Sequence, residues 1–169
     1  SSAASDVYKR QGCILLSLLK ECPLAEGTGV DVSPEALAVA RENAARLGVS
    51  GRCSFVNQSW SEWKPENEKW DMIVSNPPYI PRGDIAGLDA EVKDYDPHLA
   101  LDGGEDGYGC YREIAGLVPL ILQKGGYILL ESGMGQAEDI MRIFSAQGLE
   151  TVAVIPDLAG INRCVILKK

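Results

Sequence analysis

Gly29-Val30-Asp31-Val32-Ser33-Pro34-Glu35 is the stretch that decides the fold. Gly29 to Val32 reads as a short strand ending in an acid. Ser33 follows as a helix N-cap, Pro34 takes the first helical position, where no N–H is needed, and Glu35 faces the positive end of the helix dipole. Ala36 to Leu47 carries the helix with Leu37, Ala40, Ala44 and Leu47 on one face, and Gly48 ends it.

The same alternation extends in both directions. Upstream, Cys13 to Cys22 is an apolar helical stretch stopped by Pro23. Downstream, Cys53 to Val56 and Asp71 to Val74 read as strands, Tyr111 to Gln123 as a helix ended by Lys124-Gly125-Gly126, and Tyr127 to Glu131 as a buried strand. Gln136 to Gln147 is a helix, followed by strands at Glu150 to Ile155 and Cys164 to Lys168. Helices alternating with strands from Gly12 onward predict an α/β fold, a mostly parallel, doubly wound sheet with helices on both faces. Between Ile80 and Gly109 lies a segment rich in Gly, Asp and Pro that is too long for an ordinary connection, which marks it as functional. Ser1 to Gln11 is polar and ends in Lys9-Arg10-Gln11 where such a domain should have its first central strand. It is read as a non-native lead-in, leaving 12–169 as the domain with that strand replaced or missing.

A length of 169 residues with 46% hydrophobic content fits one domain with a sizeable core. No apolar run approaches the roughly 20 residues of a membrane helix, which points to a soluble, cytoplasmic protein. The five cysteines (Cys13, Cys22, Cys53, Cys110, Cys164) are scattered, without a Cys-x-x-Cys pair, and read as small buried apolar residues in a reducing compartment. A net charge of −8 argues against broad nucleic-acid binding, which needs Lys and Arg to displace counterions. No metal site is expected: Glu91, Asp94 and Asp96 read as a solvated acidic loop. His98, the single histidine, lies in an Asp-Pro-His stretch and is given no chemical role.

Chemistry is concentrated at Asn76-Pro77-Pro78-Tyr79, directly after Met72-Ile73-Val74. The Asn76 side chain offers one carbonyl acceptor and two amide donors, and Pro77 lacks an N–H but keeps a carbonyl. Tyr79 supplies a flat face for stacking. Two prolines force extended backbone and end the strand abruptly. Such a corner suits a planar amide or amino nitrogen, and the alternative is a rigid turn. On the opposite side, Gly12 opens a helix and Asp31 ends the next strand about 20 residues later, a spacing with which doubly wound folds hold a nucleoside.

From Gly12 to its end the chain resembles the release-factor glutamine methyltransferases, a branch of the S-adenosylmethionine-dependent methyltransferases. The resemblance rests on Gly12-Cys13-Ile14, on Val30 to Leu37, on Ile73-Val74-Ser75-Asn76-Pro77-Pro78-Tyr79-Ile80-Pro81, on Glu91 to Pro97, on Ala100 to Gly107, and on Asp157-Leu158-Ala159-Gly160. It implies a Rossmann-like methyltransferase fold with an antiparallel last strand. It also implies S-adenosylmethionine as cofactor, contacted by Gly12, Asp31, Trp60 and Asn76, with Trp60 against the adenine. Asn76, Pro77, Pro78 and Tyr79 would hold the substrate, with Asn76, Pro77 and Tyr79 as the catalytic set. The implied reaction is methyl transfer to the glutamine amide nitrogen of a Gly-Gly-Gln motif in peptide-chain release factors, by a monomer that binds no membrane and no nucleic acid stably. Gly103, Gly104 and Gly107 would serve tight turns near the substrate entrance, and Arg163 a structural role.

Two departures stand beside the match. Family members carry an Asp-Leu-Gly-Thr-Gly-Ser-Gly-like strand and loop where this chain has Val7-Tyr8-Lys9-Arg10-Gln11, and Gln58-Ser59-Trp60 stands where the family often has an acid. The rival readings are therefore a nucleic-acid amino-group methyltransferase using the same grip, and an inactive fragment that keeps the outline of the fold.

Overall fold

The computed structural model describes residues 12–65, 69–88 and 100–169. The lead-in 1–11, the acidic residues Glu91, Asp94 and Asp96, and His98 lie outside the described residues.

Helix α1 (Cys13–Glu21) buries Leu15, Leu16 and Leu19. Strand β1 (Gly27–Asp31) leads into α2 (Pro34–Leu47) through the Ser33 cap, whose hydroxyl accepts from the Ala36 N–H at 3.1 Å. Gly48 ends α2 at φ 69°, a left-handed conformation that glycine reaches without steric cost. Strand β2 (Cys53–Asn57) pairs in parallel with β1, from Gly27 opposite Cys53 to Asp31 opposite Asn57. A guanidinium closes this half of the fold. Arg52 donates to the carbonyls of Leu19, Cys22 and Ala25 at 2.5, 3.1 and 2.7 Å, satisfying acceptors at the end of α1 and in the loop that follows it.

The larger sheet has the order β3-β4-β6-β5, formed by β3 (Trp70–Ser75), β4 (Leu122–Glu131), β5 (Glu150–Pro156) and β6 (Asn162–Lys168). β3 and β4 are parallel, and β6 is antiparallel to both β4 and β5. The last strand alone therefore runs against the others, as expected of the fold. Helices α3 (Gly109–Ile121) and α4 (Ala137–Ser145) cover one face of this sheet. Ile73, Ile128, Leu130, Val165 and Leu167 point into that layer and meet Tyr111, Ile114, Val118, Ile121, Ile140 and Phe144 in one core cluster. Alternate residues along each strand supply this face, the period-2 pattern of a sheet.

Three expectations are corrected. The helix read as Tyr111 to Gln123 ends at Ile121. Leu122 leaves helical conformation at ψ 129° because it pairs with Trp70, and the register then shifts across residues 123–126 before Met72 meets Tyr127. The strand expected at Gly29 begins at Gly27 and ends at Asp31, since its partner β2 starts at Cys53. The cysteines are not uniformly buried: Cys13, in the outward first turn of α1, and Cys22, just past its end, are exposed, and Cys53, Cys110 and Cys164 are half-buried.

Candidate active site

β3 delivers the Asn-Pro-Pro-Tyr corner. Ser75, its last residue, is fully buried, Pro77 and Pro78 are buried, and Asn76 and Tyr79 are partly exposed. Two imino residues in succession give the corner no backbone N–H at those positions, so its anchors lie further along the chain, from Ile80 onward. The Ile80 N–H donates to the Leu101 carbonyl at 3.2 Å, the Gly103 N–H to the Ile80 carbonyl at 2.9 Å, and the Arg82 N–H to the Gly104 carbonyl at 2.8 Å. Arg82 also donates from Nε to Asp102 at 2.9 Å. The described residues of the long segment after Ile80 include a 3₁₀ helix over Arg82–Gly87 and a stretch at 101–104 laced to the corner. Gly104 and Gly107 adopt φ 92° and 82°, as tight turns require.

Asn76 and Ser75 open onto a cleft of about 380 Å³ lined also by Ile14, Val74, Glu131, Asp157, Arg163 and Cys164, among others. The volume falls in the range of small-molecule sites. Ile14 places the first turn of α1 beside Asn76. Opposite, Asp157 accepts from the N–H groups of Ala159 and Ile161 and from Arg163 Nε, at 2.9, 3.0 and 3.0 Å. The Ile161 N–H and then Arg163 hold the Asp157 carboxyl below the ordinary range. Arg163 donates as well to the Ser132 carbonyl at 3.4 Å, so it ties the β5–β6 loop to the end of β4.

On the cofactor side, Asp31 is 7% exposed at the C-terminal end of β1. Its Oδ1 accepts from the Ser33 N–H at 2.8 Å, and its backbone carbonyl accepts from Asn57 Nδ2 at 2.9 Å. Gly12 caps α1 at φ 78°, and a Cβ there would lie 3.1 Å from Ala40 Cβ and 3.3 Å from Leu16. That glycine is required where α1 packs on α2. Trp60 is buried; its ring sits 5.8 Å from Trp63, which lies 5.1 Å from Trp70, within the main core. Asn76 and α1 are therefore brought to one cleft, Asp31 closes a different strand, and Trp60 is turned into the core.

Two residues of this region escape sequence reasoning. Ser75 carries, among the described residues, the one buried side-chain polar atom with no hydrogen-bond partner, its Oγ. Its place between Val74 and Asn76 at a strand end is the available signal. Gln136, buried at the start of α4, donates from Nε2 to the Tyr79 carbonyl at 2.9 Å and accepts at Oε1 from the Gly133 N–H at 3.0 Å. For the cofactor that the resemblance implies, a buried acid at a strand end and an unpartnered hydroxyl beside the cleft fit a ligand rich in hydroxyl and amino groups. Among the described residues no group of three metal-ligating side chains occurs. No described helix is long and apolar enough to cross a membrane.

Comparison with known proteins places the chain in a family and a fold. The release factor glutamine methyltransferase of Cereibacter sphaeroides is 47% identical over 160 residues, covering 95% of this chain and 57% of its own length. That of Rhodospirillum rubrum is 42% identical over 164 residues, covering 97% of this chain and 50% of its own. The chain thus spans about half the length of the curated relatives it matches. The crystal structure of a methyltransferase from Pyrococcus furiosus has a TM-score of 0.70 at 15% identity, covering 100% of this chain and 75% of that one, a likeness that shows the fold. The family described as "Methyltransferase domain" matches residues 6–95, more than half of the 169. On that match, and with the sheet order and strand-end corner in place, the chain belongs to the methyltransferase domain family.

Proposed function

We propose that this chain is the catalytic part of an S-adenosylmethionine-dependent enzyme that methylates the side-chain amide nitrogen of glutamine in the Gly-Gly-Gln motif of peptide-chain release factors. The observation that carries the reading is the placement of Asn76, at the end of β3, on the cleft that Ile14 of α1 also lines. The relatives' name supplies the substrate class.

An amide nitrogen is a poor nucleophile because its lone pair is delocalised into the carbonyl. Activation must therefore come from geometry. The Asn76 side-chain carbonyl and the Pro77 carbonyl accept the two amide hydrogens, which fixes the nitrogen with its lone pair directed at the methyl donor. The same two acceptors stabilise positive charge that develops on nitrogen. Tyr79 stacks on the planar amide, and Pro78 keeps the corner extended. Asp31 would accept from ribose hydroxyls of the cofactor, with Gly12 and the N-terminus of α1 beside it, and Trp60, in the core, would support the nucleoside side only from behind. The bound cofactor supplies an electrophilic methyl group on a sulfonium. No general base is required before attack, since the methylated nitrogen becomes acidic and loses its proton afterwards.

The test is incubation with a purified release factor and S-adenosylmethionine, followed by peptide mass spectrometry. A single added methyl on the Gly-Gly-Gln glutamine is expected. A methyl group at any other residue, or on nucleic acid added in its place, overturns the assignment.

A further inference from the structure

We propose that Gln136 is a positioning residue whose side-chain amide sets the direction in which the Asn76-Pro77 acceptors face the substrate. The proposal rests on the reading of that corner as a nitrogen clamp. Pro77 and Pro78 cannot anchor the corner through N–H groups, so its placement depends on carbonyls and on residues beyond it. Gln136 reaches across 57 residues of sequence to do this, donating from Nε2 to the Tyr79 carbonyl at 2.9 Å. Its Oε1 accepts from the Gly133 N–H at 3.0 Å, in the turn after β4. A carbonyl can only accept and an N–H can only donate, so these two partners fix the amide in one orientation.

Three glycines enclose this bond with no spare volume. A Cβ at Gly107 would fall 2.6 Å from the Tyr79 carbonyl oxygen and 2.9 Å from Gln136 Nε2. One at Gly133 would fall 2.6 Å from Gln136 Oε1 and 2.9 Å from the Tyr79 ring, and one at Gly103 would fall 2.9 Å from the Tyr79 carbonyl carbon. Glycine at all three sites lets the backbone close on the amide, and a close-packed surround leaves the corner one position. Gln136 is the N-cap residue of α4, whose Ile140 and Phe144 are fully buried, so the corner is referenced to the rigid core rather than to its own loop.

Gln136→Leu removes both bonds at similar size, and Gln136→Glu removes only the donor. An ionised Glu accepts from Gly133 but cannot donate to Tyr79, whereas a protonated Glu restores the donor. With the release factor as substrate, Gln136→Leu should lower kcat by about 10- to 100-fold, the scale of a misplacement near 1 Å, with cofactor Kd within about 2-fold. Gln136→Glu should be similarly impaired at pH 8 and regain most of the loss, relative to the unsubstituted chain at the same pH, as the pH falls towards 5.5. Amide hydrogen exchange at Ile80 and Arg82 should quicken about 10-fold in Gln136→Leu while Met72 to Val74 stay protected. Gly107→Ala should reproduce the exchange change with Gln136 intact. Unchanged exchange at Ile80 and Arg82 in Gln136→Leu overturns the proposal, as does loss of cofactor affinity in step with kcat. If the unsubstituted chain transfers no methyl group, the clamp reading fails for it, and the exchange comparison alone decides whether Gln136 sets the corner.

Discussion

The hydroxyl of Tyr111 donates to the carbonyl of Glu131 at 2.7 Å, tying the first turns of α3 to the last residue of β4. Tyr111 is fully buried, and burial, aided by nearby negative charge, pushes the phenol well above its ordinary range, so it stays a neutral donor. Tyr111→Phe keeps the ring and strands the carbonyl. The loss should be about 1–2 kcal/mol, read as a lower urea midpoint at unchanged slope.

Asn76 and Asp31 should separate under substitution. On the proposed mechanism Asn76→Ala removes an acceptor for charge developing on nitrogen, and transfer should fall by about 100- to 1,000-fold with cofactor affinity nearly intact. Asp31→Ala should weaken cofactor binding first. Calorimetric titration with S-adenosylmethionine beside single-turnover assays distinguishes them; equal loss of both quantities in Asn76→Ala would make that residue part of the cofactor pocket instead.

Stability should respond to acid through Asp106. The Arg112 guanidinium, with the Tyr108 N–H, holds this carboxyl down from 3.8 to about 2. The folded value lies below the unfolded one, so the contribution is fully present above about pH 4 and disappears as the pH falls towards 2. Urea midpoints collected across that window should decline less steeply for Asp106→Asn than for the parent chain. Parallel curves would assign no role to the pair.

Thiol labelling at pH 8 should proceed in an order set by burial. Cys13 and Cys22 are exposed and should react with a disulfide reagent first. Burial raises the Cys53 and Cys164 thiols, and Cys110 is pushed up to about 11 by burial, with Glu113 and Asp102 adding to it. Cys110 should therefore be last, because the thiolate is the reactive form. Peptide mapping after timed quenching reads the order directly.

Local features of the fold are legible in the sequence and distant ones are not. The Ser33 cap, Pro34 and Gly48 act within one turn of backbone, so residue type alone bounds α2 correctly. Where α3 stops is decided by Trp70, some 50 positions away, which recruits Leu122 into a strand before Gly125 is reached. The burial of Trp60 is hidden for the same reason: it depends on a core in which Trp63 meets the Trp60 ring on one side and Trp70 on the other. At the site, Asn76 to Tyr79 are evident because their chemistry is contiguous. Gln136 and the three glycines around Tyr79 become meaningful only when β4, α4 and the 101–109 stretch converge.

β6 comes after β5 along the chain yet lies between β5 and β4. The sheet is consequently finished out of order: β5 has no neighbour to join until Asn162–Lys168 turns back and enters the space beside β4. During synthesis, a ribosome that pauses before Asn162 leaves β4 with an unpaired edge carrying Ile128 and Leu130, the sort of surface that chaperones bind and that otherwise aggregates.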